Sequence, residues 1–139
     1  HPELYRACVD MSGGIGLTVN TQTLKEELKS EHFSHFPLYL STFGPAEALE
    51  GSRYDLARIA RRNLERGISL PDFHVICGSD EFIRERVEAD VKTLREMGYK
   101  IHYICAEGYR HDFDLWDRYM QVIFDELLPL RRTVIDSNC

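Results

Sequence analysis

The sequence predicts an α/β fold in which crossover helices connect the strands of a parallel sheet. Three short apolar segments, at residues 5–11, 72–78 and 99–106, each run into a loop and read as buried strands. Segments with helical periodicity separate and follow these strands, so that the two kinds of element alternate. Such alternation is typical of parallel sheets, because parallel strands need a crossover connection.

The helices are predicted from apolar spacing. They are expected at residues 21–30, 52–67, 79–98 and 113–130. The helix at 52–67 begins with Ser52 and Asp55 in a capping arrangement, and Gly67 ends it. The residues expected to face the core are Leu56, Ile59, Ala60 and Leu64 in that helix, Ile83, Val87, Val91 and Leu94 in the next, and Trp116, Met120, Ile123 and Leu127 in the last.

Size and charge limit the function classes. The chain has 139 residues, a formal charge of −6 and 43% hydrophobic residues, which suits one globular domain or a piece of one. The acidic balance argues against nucleic acid or an anionic membrane as the main partner. No apolar run has the length of a membrane span. A chain that begins at His1 is expected to have been processed or cut.

The four cysteines are expected to be free thiols. Cys8, Cys77 and Cys105 lie in predicted strands, where cysteine usually behaves as a small buried hydrophobic residue, and Cys139 is the last residue. None has the CxxC spacing of zinc or thioredoxin-like sites. Free thiols indicate a reducing compartment, so we expect a cytoplasmic protein.

Asp80 and His111 are the candidate catalytic residues. Asp80 follows the second predicted strand and His111 the third, and functional residues of parallel sheets collect at these strand ends. If the strands are neighbours, about 4.8 Å apart, the Asp80 carboxylate could accept the ring N–H of His111. That pair is the acid–base part of a Ser-His-Asp triad. Ser12 is a poor candidate for the nucleophile, because Asp10 stands where a GxSxG turn needs glycine.

Other interpretations of these residues are weaker. Asp112 and Asp114 could supply the carboxylate, but they suit the first turn of the last helix, where negative charge favours the helix dipole. Ser79 could cap the helix at 79–98. His111, Asp112 and His102 have no convincing third ligand for a metal, and the glycine turn at 12–16 does not open a helix that could bind phosphate. Neither a metal nor a cofactor is expected.

Four segments resemble the C-terminal half of bacterial esterases similar to tributyrin esterase and esterase D. They are residues 7–14, 43–60, 75–82 and 106–130, and the most specific parts are GSDEF at 78–82 and the G-x-x-H-D-F-x-x-W run at 108–116. The resemblance implies an α/β-hydrolase that cleaves short-chain acyl esters, with Asp80 and His111 in its triad. It also implies that residues 1–131 are the C-terminal portion of a single α/β-hydrolase domain and that 132–139 form a frayed tail.

The resemblance also implies that the nucleophilic serine and the oxyanion-hole loop belong to an N-terminal half that this chain does not contain. The chain alone is then expected to be inactive, with the missing half or another chain as its partner and an acyl ester as the substrate. The strand at 5–11 should have an edge that is unpaired or that pairs with another polypeptide. The alternative is a non-catalytic α/β module that binds a ligand or a partner. No substrate-binding residue is assigned.

Overall fold

The computed structural model describes residues 4–14, 41–42, 44–45 and 48–128. The elements within them are β1 (Ala7–Met11), α1 (Leu56–Glu65), β2 (Asp72–Gly78), α2 (Arg84–Met97), β3 (Ile101–Ala106) and α3 (Phe113–Val122), which a π-helical segment (Ile123–Leu127) continues. The predicted alternation of strands and helices is confirmed. The helix expected at 21–30 and the tail at 132–139 lie outside the described residues.

The sheet is parallel, with its described strands in the order β1-β2-β3. In the register of the strands, Val9 lies beside His74, and His74 lies beside His102. The prediction that β2 and β3 are neighbours is therefore confirmed, and their carboxyl ends lie side by side. Among the described strands β1 is at one edge, where it pairs with β2 alone.

Helices cover both faces of the sheet, because alternate residues of a strand point to opposite faces. On one face α1 and α2 pack on Val75 and Cys77 of β2. On the other face α3 packs on Ile76, with Leu115 and Ile123 as its buried residues. Met120, which we expected to face inward, is 40% exposed, whereas Leu115 is fully buried. The buried face of the last helix thus includes Leu115 in place of Met120.

Local sequence signals explain most of the helix boundaries. The Asp55 carboxylate accepts a hydrogen bond from the backbone N–H of Arg58 at 2.9 Å and caps α1. Gly98 ends α2 with a φ of +108°, a conformation that favours glycine. The start of α2 was predicted wrongly: the helix begins at Arg84 without a side-chain cap, because residues 79–83 form a turn instead.

The cysteines follow the prediction only in part. Among the described residues, Cys8, Cys77 and Cys105 are free thiols. Cys77 is buried as expected, whereas Cys8 and Cys105, which we expected to be buried, are exposed. Cys139 lies outside the described residues. In the described part of the chain, no helix has the length and apolar character needed to cross a membrane.

Candidate active site

The loops that follow β2 and β3 are joined by backbone hydrogen bonds. The N–H of Ser79 donates to the carbonyl of Ala106 at 2.8 Å, and the N–H of Asp80 donates to the carbonyl of Tyr109 at 3.0 Å. The Ser79 hydroxyl oxygen also accepts from the N–H of Gly108 at 2.8 Å. Ser79 therefore fixes the two loops to each other and does not cap α2, the role that we considered from the sequence.

Gly78 allows this close approach of the two loops. A Cβ atom at residue 78 would lie 2.2 Å from the carbonyl oxygen of Tyr109, a separation that no side chain tolerates. Residue 78 must be glycine for lack of space, because the neighbouring atoms belong to the Tyr109 backbone, which cannot move aside easily. The glycine at the end of β2 is thus needed to bring the loop of residues 79–83 beside the loop that carries His111.

The His111 side chain pairs with the Glu81 carboxylate. The Nδ1 atom of His111 lies 2.8 Å from Oε2 of Glu81. An ionised carboxylate can only accept, so Nδ1 carries a proton and donates it. The other ring nitrogen, Nε2, is then the atom that can accept a proton from a reacting group, and about a third of the His111 side chain is exposed for that purpose.

The Glu81 carboxylate is buried and receives three hydrogen bonds. Its Oε1 atom accepts from the Ser12 hydroxyl at 2.6 Å and from the N–H of Gly78 at 2.8 Å, while Oε2 faces His111. Burial by itself would raise the pKa of Glu81, but the bonds from Ser12, Gly78 and His111 outweigh it and hold the pKa below its ordinary value. Glu81 is therefore ionised and fixed in position.

Asp80, the carboxylate that the sequence suggested, lies one residue away and has a different partner. Its side chain is exposed, and its Oδ1 accepts from the Ser79 hydroxyl at 2.9 Å. The contact with His111 that we expected of Asp80 is made by Glu81 instead. The reason is the turn at residues 79–83, which directs residue 80 to solvent and residue 81 back over the end of β2.

Ser12 contributes to the site as a partner of Glu81. It is 5% exposed and has a φ of +57°, which places its side chain beneath the carboxylate at the end of β1. Its hydroxyl donates to Glu81 and accepts from the indole N–H of Trp116 at 3.0 Å. The Ser12 proton thus points at a carboxylate and not at His111, an arrangement that does not suit a nucleophile.

Aromatic side chains enclose His111. The rings of Phe82 and Trp116 meet the imidazole edge to face, with ring centres 5.2 and 5.3 Å away, and Phe113 packs on Trp116 at 5.1 Å. Sequence reasoning assigned Trp116 to packing and missed both phenylalanines. The signal was present, since Phe82 follows Glu81 directly and Phe113 lies two residues after His111.

Asp10 lies next to this network at the end of β1. Burial raises its pKa to about 6, although the backbone N–H of Gly13 opposes the rise, and the charges of Asp90 and Glu81 add to it. Its Oδ2 atom is buried and has no hydrogen-bond partner in the described part of the chain. Among the described residues, no cluster of three His, Cys, Asp or Glu side chains could hold a metal ion.

The described fold is similar to part of the α/β fold of two serine hydrolases. The chain superposes on FphF, a fluorophosphonate-binding serine hydrolase of Staphylococcus aureus solved with substrate bound, with a TM-score of 0.63. It superposes on the S-formylglutathione hydrolase FrmB of the same organism with a TM-score of 0.61. Each match has 16% sequence identity and covers 84% of this chain and 42% of the other.

The sequence comparison gives a narrower likeness. The chain is 29% identical over 94 residues to an acetyl esterase of Caldicellulosiruptor saccharolyticus, a match that covers 67% of this chain and 35% of the esterase. No family model matches the chain. The relatives found are thus an acetyl esterase and two serine hydrolases, and these likenesses single out no subfamily. The chain spans less than half the length of each of these relatives.

Proposed function

We propose that this chain supplies the histidine and the carboxylate of a serine carboxylesterase that hydrolyses short-chain acyl esters. The observation that carries the proposal is the pairing of His111 with a buried, ionised carboxylate at the adjacent ends of β2 and β3. The likeness to an acetyl esterase supports a small acyl group. The exposed thiols fit the cytoplasmic location expected from the sequence.

Each step of the reaction uses the free nitrogen of His111. Nε2 takes the proton of a serine hydroxyl as that oxygen attacks the ester carbonyl, and it then gives the proton to the departing alcohol. In the second half it takes a proton from water, which attacks the acyl-enzyme, and returns that proton to the serine. Glu81 keeps the imidazole in the required tautomer and stabilises the imidazolium that forms twice in each cycle.

The nucleophilic serine belongs to polypeptide outside these 139 residues in this proposal. The Ser12 hydroxyl donates its proton to Glu81. In addition, the relatives are more than twice as long as the part that this chain matches. Among the described strands the outer edge of β1 has no partner, and it is the natural place for further strands because an unpaired edge presents free backbone groups. The missing segment would be an upstream part of the same protein or a separate chain.

Glu81 holds the carboxylate role in this proposal, and Asp80 is the alternative that the sequence suggested. Glu81 has the contact with His111, the burial and the lowered pKa that the role needs. Asp80 has an exposed side chain bonded to Ser79. Substituting the two residues one at a time distinguishes them.

A fluorophosphonate probe tests the proposed function. In the protein that includes its nucleophile, the probe should label one serine, and His111→Ala should abolish both labelling and the hydrolysis of a short acyl ester. His102→Ala is the matched control, since His102 is also an exposed histidine but lies within β3, stacked on His74. If no serine is labelled and no ester is cleaved, the chain is a non-catalytic α/β module.

A further inference from the structure

Two exposed phenylalanines stand at the ends of a row of four aromatic rings that contains His111. The order of contacts along the row is Phe82, His111, Trp116 and Phe113. Phe82 is 83% exposed and Phe113 is 80% exposed, so the two outer rings turn most of their surface away from the rest of the described chain. The two inner rings make polar contacts: His111 is hydrogen-bonded to Glu81, and the Trp116 indole N–H donates to Ser12.

Exposed rings beside a polar network are characteristic of a small-molecule site. Such sites combine apolar walls with a few fixed polar groups that orient the ligand. An exposed phenylalanine is costly to keep in water, and two of them in one row form an apolar patch that a ligand can cover. The row lies against the only histidine that faces the strand-end network of the described residues.

We propose that Phe82, with Phe113, binds the alcohol part of the ester and makes the enzyme prefer esters of aromatic alcohols. This inference rests on the proposed function, since it concerns the substrate of that same site. Phe82 acts by stacking on the alcohol group, and Phe113 extends the apolar wall on the far side of Trp116.

The direction of proton transfer assigns these rings to the alcohol part of the substrate and not to the acyl part. The histidine gives its proton to the leaving oxygen, so that oxygen must come within hydrogen-bond reach of Nε2, about 3 Å. The group attached to the oxygen then lies next to the rings that touch the imidazole, and the Phe82 ring centre is 5.2 Å from the imidazole centre. The acyl chain is attached to the carbonyl carbon on the side away from the leaving oxygen, so it has no such requirement to lie beside the imidazole.

The test compares benzyl acetate with ethyl acetate in the complete protein. The two esters share the acyl group and release alcohols of similar acidity, so a difference between them reports on alcohol binding. Phe82→Ala should lower kcat/KM for benzyl acetate about tenfold. The variant loses the contact between the Phe82 ring and the benzyl ring and the apolar area that this contact buries. We expect a change of less than about twofold for ethyl acetate, and a smaller drop, about threefold, for benzyl acetate in Phe113→Ala.

Two further variants control the comparison. Phe82→Tyr keeps the ring and should restore the preference for benzyl acetate. Phe124→Ala should leave the preference unchanged, because Phe124 is a half-exposed phenylalanine on the π-helical segment beyond α3. If Phe82→Ala does not fold, Phe82→Leu carries the same comparison with the ring removed and the apolar volume nearly kept.

Equal losses for both esters in the Phe82 variants, or no loss for either, would overturn the inference while esterase activity persists. Failure of the proposed function gives a different result: neither ester is cleaved by the wild-type protein, and the fluorophosphonate probe labels no serine. The substrate preference then has no reaction to act on and is rejected with it.

Discussion

Ser12 and Glu81 lie 69 residues apart in the sequence, and their side chains share a 2.6 Å hydrogen bond at the carboxyl ends of β1 and β2. The same hydroxyl accepts from Trp116 of α3, so one serine connects three elements. The Glu81 carboxylate that faces His111 is thus fixed by two further hydrogen bonds, one from the Ser12 hydroxyl at the end of β1 and one from the backbone N–H of Gly78. His111 receives a partner whose position is fixed before any substrate arrives.

Removing the Ser12 hydroxyl should weaken this support without removing the nucleophile. Ser12→Ala leaves the buried Glu81 carboxylate and the Trp116 indole each short of one hydrogen bond, which should lower the free energy of unfolding by about 1–3 kcal/mol. Esterase activity should fall but persist. Urea denaturation and fluorophosphonate labelling of the variant measure the two effects, and complete loss of labelling in a folded variant would identify Ser12 as the nucleophile.

Gly78→Ala should separate the two loops that carry the site. The added methyl group meets the carbonyl of Tyr109, so the variant should lose about 1–3 kcal/mol of stability through overpacking. It should also lose most of its esterase activity, because Glu81 and His111 move apart. Gly14→Ala is the matched control: within the described residues no atom lies within 4 Å of its added Cβ, so the change should cost little. Thermal unfolding of both variants measures the contrast.

Asp10 makes stability depend on pH in the direction opposite to a paired carboxylate. Because burial raises its pKa from 3.8 to about 6, the native state binds the Asp10 proton more tightly than the unfolded state does. The ionised side chain therefore destabilises the protein above about pH 6, and this effect disappears as the pH falls toward the unfolded pKa. Asp10→Asn should raise the free energy of unfolding by about 1 kcal/mol near pH 8, a value reduced for partial solvent exposure.

Urea denaturation of Asp10→Asn and of the wild type at about pH 8 and about pH 4 tests this expectation. The stabilisation should be present at the higher pH and nearly absent at the lower one. Glu81 behaves in the opposite way, since its pKa is lowered: its contribution is complete above the ordinary pKa of 4.5 and is lost as the pH falls through the lower folded value. Equal stabilisation by Asp10→Asn at both pH values would contradict the assignment.

The sequence predicted the sheet and missed the turn that sets the site. Short apolar segments located β2 and β3, and the pairing of these two strands brought His111 to the edge of the sheet where Glu81 lies. The choice between Asp80 and Glu81 depends on the backbone of residues 79–83, which no periodicity describes. The typical triad favours aspartate, and that preference pointed to residue 80, one position from the carboxylate that reaches the imidazole.

The contribution of Ser12 could not be read from the sequence for a related reason. Its hydroxyl meets Glu81 through a contact between residues far apart in the chain and through a backbone with positive φ. Proximity in sequence placed Phe82 and Phe113 near the site, but their exposure was not evident, since a phenylalanine beside a helix is normally expected to pack inward. Local sequence patterns predict that phenylalanines are buried, whereas Phe82 and Phe113 are exposed beside His111.

The proposed mechanism depends most on the carboxylate at Nδ1 of His111, and steady-state kinetics with a short acyl ester test this dependence directly. Glu81→Gln keeps the size of the side chain but removes its charge and permits the wrong imidazole tautomer, so kcat should fall by about two to four orders of magnitude. Asp80→Asn, the neighbouring control, should change kcat by less than about threefold, since that side chain is exposed and bonded to Ser79. The opposite pattern, with Asp80→Asn inactive and Glu81→Gln as active as the wild type, would contradict the account.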